Sequence, residues 1–110
     1  MEVRITPRRV GSFTDDARRA ERGAQRAVRI GTMTLEGLVA AGAPVDTGFL
    51  KGSVQGRAES STRGVVTVGA EYGAYVNYGT RYVRSQPFFD EALRAFPPIF
   101  GAIVAREVFR

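Results

Sequence analysis

Asp46-Thr47-Gly48 is the tripeptide that carries the catalytic aspartate in aspartic proteases. That chemistry needs two carboxylates close enough to share one proton, and a dimer of a 110-residue chain is about the size of a retroviral-type protease. The surroundings argue against it. Such enzymes place the Asp after an apolar strand in an all-β fold. In this chain the tripeptide follows a long helical pattern and Ala43-Pro44, and it leads into Phe49-Leu50-Lys51. The second apolar-apolar-Gly element expected near the end of such a protease is missing. An Asp46 or Thr47 side chain capping a turn accounts for the motif more simply. The protease is the least favoured of the functional readings.

Composition narrows the remaining chemistry. The chain has no Cys and no His, which removes thiol nucleophiles, disulfides, the usual zinc ligands and the Ser-His-Asp relay. The expectation is no catalytic residue, no metal site, no cofactor and no small-molecule substrate. No run approaches the length of an apolar membrane span, so no membrane partner is expected. Met1-Glu2-Val3-Arg4 lacks the layout of a signal peptide, and synthesis in the cytoplasm is expected.

Charge is the next candidate for function. Residues 1–30 hold eight Arg against four acids, while residues 31–110 hold eight basic and seven acidic side chains. Arg18, Arg22, Arg26 and Arg29, with Arg19, fall on one face of a helical projection. Such a stripe suits either phosphates or an acidic protein surface. Aromatic residues are not interleaved with it, so base stacking is not indicated. Docking on protein is the preferred reading, with a basic nucleic-acid-binding domain as the alternative. The choice of Arg over Lys (Lys51 is the single lysine) fits planar pairing with carboxylates, although a GC-rich genome produces the same bias.

These side chains need elements to hold them. Residues 1–11, with Pro7 and Gly11, read as an extended arm or a first edge strand. Ser12 or Thr14 offers an N-cap, and a helical period runs from there to about Gly42: Phe13, Ala17, Ala20, Ala24, Ala27, Gly31, Leu35 and Leu38 share a face. After Arg29 the opposite face turns apolar, through Ile30, Met33, Gly37 and Ala40. Two explanations stand. Another subunit covers this second stripe, or the helix bends or breaks near Gly31-Thr32 and turns it inward.

Ala43-Pro44 ends the helix. Residues 43–84 then read as a turn, one helical turn at Phe49 to Lys51, a hairpin and a Tyr-rich segment. The hairpin strands are Ser53 to Ser60 and Gly64 to Ala70, Ser61-Thr62-Arg63 supplies the loop, and Val66 and Val68 share a face. Residues 72–80 are ambiguous between helix and strand. Residues 85–110 read as C-terminal helices: Pro87 opens the first, Asp90 stands four residues before Arg94, and Pro97-Pro98 interrupts before a final helix. The expected fold is one α+β domain spanning residues 1–110, with a long N-terminal helix (12–42) and a C-terminal helix packed on a small antiparallel sheet.

Three separated pieces resemble one family, the small neck or tail-completion proteins of long-tailed bacteriophages. Pro44, Asp46, Thr47, Gly48, Leu50 and Ser53 match its Pro-x-Asp-Thr-Gly-x-Leu-x-x-Ser turn. Tyr72, Tyr75, Val76, Tyr78, Gly79 and Thr80 match its Tyr-x-x-Tyr-Val-x-aromatic-Gly-Thr segment. Gln86, Pro87 and Phe88 match the Gln-Pro-Phe opening of its last helix. One departure is Asn77, where the family usually has Glu. The resemblance implies a virion protein that forms a homo-oligomeric ring, sixfold, between head and tail. Its implied partners are a head-closure or stopper ring, the tail terminator and the tail tube, with genomic DNA passing through the channel.

Overall fold

The helical period read from residue 12 onward is realised as α1, Thr14–Gly42, about 43 Å long at 1.5 Å per residue. The computed structural model describes residues 1–6, 14–43, 52–69, 72–79 and 84–108. α1 runs unbroken through Gly31-Thr32, so a break there does not turn the second apolar stripe inward. Its mid-helix threonines are accommodated by back-bonding: Thr32 Oγ1 donates to the Val28 carbonyl (2.7 Å) and Thr34 Oγ1 to that of Ile30 (2.8 Å). Ala24, Ala27 and Leu35 are buried on the expected face, and Val28 and Val39 widen it.

Three antiparallel strands form the sheet in the order β1-β3-β2: β1 Glu2–Ile5, β2 Val54–Ser60 and β3 Arg63–Val68. The N-terminal segment is thus the edge strand, pairing Val3 with Val66 and Ile5 with Gly64. The hairpin is one residue tighter than the sequence suggests. Ser61 and Thr62 make the turn, while Arg63 already pairs with Ser60, and the register shifts between Ala58 and Ser60. That irregularity takes up the residue assigned to the loop.

Val66, Val68, Val54 and Ile5 face α1 and join the core of Leu35, Val39, Phe88, Phe89, Ala92 and Phe96. The polar face of the sheet carries Arg4, which reaches Glu2 (2.6 Å) and Glu59 (3.1 Å). Hydrogen bonds to Glu2 and then Glu59 hold its guanidinium above its ordinary pKa. The outer edge of β2 is guarded, because the Gly56 N–H donates to Glu36 of α1 at 2.6 Å.

The segment left ambiguous between helix and strand is a helix, α2, Tyr72–Tyr78. The last helix, α3, spans Phe88–Val108 and contains both Pro97 and Pro98, so the expected interruption does not occur. Tertiary packing overrides the proline penalty. Phe96 and Phe100, one on each side of the pair, stack at 5.4 Å and lie over Gly31 of α1. Both prolines are exposed, so water can serve the Leu93 and Arg94 carbonyls that lose their amide partners.

α3 lies antiparallel on α1 through three glycines. Gly42 sits by Phe88, Gly31 by Phe100, and Gly23 by Glu107 and Val108. A Cβ at Gly23 would collide with the Glu107 carbonyl, so the helices close at that end only because no side chain intervenes.

Candidate assembly surface

Two of the three motif pieces meet in one corner. Asn77, on α2, is 1% exposed, and its Oδ1 accepts the backbone N–H groups of Phe89 (3.0 Å) and Asp90 (3.2 Å). These belong to the first turn of α3, where helix N–H groups lack partners of their own. Asn77 therefore caps a helix that begins eleven residues later. The Gln86 N–H donates to the Val76 carbonyl at 2.7 Å, and the Glu91 N–H to that of Pro87 at 2.9 Å. Gly79 adopts φ of 79°, and a Cβ there would press on Ser85. Val76 is half-buried and Phe88 fully buried. Most of these motif residues shape the corner; Tyr75 and Tyr78 point outward.

The other piece is mostly out of view. Pro44, Asp46, Thr47, Gly48 and Leu50, and the turn expected of them, lie outside the described residues, as does Thr80. Ser53 is half-buried, and its carbonyl accepts the Gly69 N–H at 3.0 Å.

The outer face of α1 carries what the core does not absorb. Met33 is 69% exposed and Gly37 has open space where a Cβ would stand. Ile30 and Ala40 are half-buried. Arg18, Arg19, Arg22 and Arg29 are exposed on the same helix. Arg26 does not share that exposure. It is half-buried, and its guanidinium donates to the Glu107 carbonyl at 3.2 Å, so it braces α1 against the end of α3. One residue escaped the sequence reading. Arg57, on β2, stands beside Arg29 and Met33 at a shallow cleft of about 130 Å³ also lined by Thr32, Gly56 and Ala58. A strand residue and a helix residue twenty-eight positions apart, Arg57 and Arg29, share no spacing that would have paired them.

These groups can bind. Arg supplies bidentate donors for carboxylates or phosphates, and Met33 with the tyrosines supplies apolar area. Among the described residues no cluster of acids has the grouping of a metal site, and no helix is long and apolar enough to cross a membrane.

The chain is α+β, and the outer face of α1 presents exposed Met33 beside exposed Arg29. The comparison with known families narrows the class: residues 7–79, more than half of the chain, match the family described as "Bacteriophage HK97-gp10, putative tail-component", and the chain belongs to that family. The matched span includes α1, the sheet hairpin and α2, and stops short of the Gln86-Pro87-Phe88 piece. No curated protein and no solved structure matches the chain.

Proposed function

We propose that this protein is a structural virion component of the head–tail connection of a long-tailed phage, a neck, tail-completion or terminator subunit with no enzymatic role. It forms a homo-oligomeric ring, sixfold, that joins head to tail and lets genomic DNA pass. Its neighbours in the particle are a head-closure or stopper ring, the tail terminator and the tail tube. Family membership supports the tail assignment. The observation that carries the ring is the second stripe of α1, where Met33 remains 69% exposed and Gly37 stays open although the helix is continuous. A helix apolar on two faces is stable and soluble when both are covered, and in this reading the second cover is a neighbouring subunit on Ile30, Met33, Gly37 and Ala40. Arg18, Arg22 and Arg29 dock on acidic protein surfaces.

Native mass spectrometry of the purified protein, with cryo-electron microscopy of tails that contain it, tests this reading. The expected result is one closed oligomer with the Met33 face in a subunit interface. A single copy per particle, or a ring that leaves Ile30 and Met33 in water, overturns it. The nucleic-acid reading is favoured only by the four exposed Arg of α1, none ion-paired among the described residues. Salt-dependent DNA binding by the isolated protein would support that reading instead.

A further inference from the structure

Among the described residues, three large apolar side chains are exposed: Met33, Tyr75 (61%) and Tyr78 (64%). They form two groups. Tyr75 and Tyr78 lie three apart on α2 and share a face, while Met33 is on α1.

The two groups point in different directions. Gly31 of α1 meets Phe100 of α3. Met33, two positions on, is turned by roughly 200° at 3.6 residues per turn, so it points away from α3. α2, in contrast, packs against the start of α3 through Asn77. One copy cannot bring its own Met33 and tyrosines together.

Their chemistry is complementary. Met33 is flanked at its cleft by Arg29 and Arg57, which have no ion pair among the described residues. The corner beside the tyrosines presents Asp90 and Glu91 in the first turn of α3, also without an ion pair among the described residues. The Asp90–Arg94 spacing does not produce one. Thioether sulfur and guanidinium groups both pack favourably on aromatic rings, and guanidinium pairs with carboxylate.

We infer that neighbouring copies of this chain meet through two unlike faces, the Met33–Arg29–Arg57 face of one copy receiving the Tyr75–Tyr78 face of the next. The inference rests on the ring reading and specifies its contact. An isologous contact through Met33 would bring Arg29 and Arg57 toward their own copies and leave both tyrosines in water. A heterologous contact covers both groups at once and, repeated around an axis, closes a ring.

The chain has no cysteine, so thiols can be placed at will. Met33→Cys and Tyr75→Cys, combined in one chain and treated with a short bifunctional thiol reagent, should yield a ladder of dimers, trimers and higher products. A mixture of the two single variants should stop at dimers, and each single variant alone should give none. The products are read both in the purified protein and in tails that have incorporated it, with circular dichroism confirming that each variant is folded. Met33→Asp should raise the concentration needed for assembly at least tenfold. Dimers from Met33→Cys alone overturn the inference. So does a ring-sized native mass, or normal incorporation into tails, with no ladder in either setting; the ring reading then survives. A single copy per tail overturns both.

Discussion

Asn77 holds Phe89 by its backbone: the side-chain Oδ1 accepts the Phe89 N–H at 3.0 Å and that of Asp90 at 3.2 Å, from a helix on the other side of a loop. The bond ties α2 to α3 and fixes where α3 starts. It also gives position 77 a physical role. What the corner uses is an acceptor oxygen aimed at a helix N-terminus, and the Glu that the sequence resemblance implies for this position would also carry such oxygens. The amide nitrogen of Asn77 has no partner among the described residues, a cost that the oxygen's two bonds offset.

Asn77→Ala should therefore lower stability by about 1–3 kcal/mol, since it strands two donors at a buried helix end. Asn77→Asp keeps the acceptor, exchanges the amide nitrogen for a second carboxylate oxygen and places a negative charge at the positive end of α3. At neutral pH it should retain more stability than the Ala variant. Urea unfolding measures both. Equal losses for the two substitutions would show that packing volume, and not the cap, is what position 77 supplies.

Glycines give a sharper contrast, because their surroundings differ by position. At Gly64 a Cβ would strike Thr32 Oγ1, and at Gly23 it would strike the Glu107 carbonyl. Gly64→Ala and Gly23→Ala should each cost about 1–3 kcal/mol by overpacking. Thr32→Ala should recover part of the Gly64→Ala loss in a double-mutant cycle, while Gly23→Ala has only backbone against it and no such rescue. Gly37→Ala meets nothing within 4 Å and should stabilise the isolated chain by up to about 1 kcal/mol through helix propensity. Thermal melts of the variants in parallel check the order, and destabilisation by Gly37→Ala would mean that its face is already occupied.

Much of the fold was legible because local signals agreed. Ala24, Ala27, Gly31 and Leu35 spelled out the buried face of α1, and the Val-rich run of β3 marked a strand. What escaped depended on partners distant in sequence. Pro97-Pro98 read as a stop, yet Phe96 and Phe100 anchor both sides of it to α1. Residues 72–80 had no decisive period, and docking on α3 selects the helix. Arg26 shares the helical spacing of Arg22 and Arg29, so no local pattern separates it from them. Its difference comes from Glu107, eighty-one residues away. The candidate interface was legible as an excess of apolar residues on one face, but its Arg57 flank was not.

The proline pair should be a weak point that substitution improves. Both residues are exposed within a continuous helix. Pro97→Ala restores an amide for the Leu93 carbonyl and removes a steric clash, a change worth up to about 3 kcal/mol in a helix interior, less the entropy that proline removes from the unfolded chain. A higher melting temperature with unchanged helicity is expected. A lower one would indicate that the bend set by the prolines is needed to seat Phe96 and Phe100 on Gly31.

The Arg face separates the competing functions, and its members should behave differently. Arg26→Ala should lower stability by about 1–2 kcal/mol, because it removes a half-buried charged donor from the Glu107 carbonyl. Arg22→Ala, at an exposed position, should change stability by no more than about 0.5 kcal/mol. Assembly should show the reverse order. A conduit must let the genome slide, and an Arg wall gripping phosphates would hold it through many ion contacts. Charge reversal at Arg18, Arg22 and Arg29 should therefore weaken docking to neighbouring tail proteins, visible as loss of incorporation into tails, with DNA retention in the remaining complete particles unaffected. The opposite result, intact rings that no longer retain DNA, would move these side chains from a docking face to the channel wall and put the nucleic-acid reading in first place.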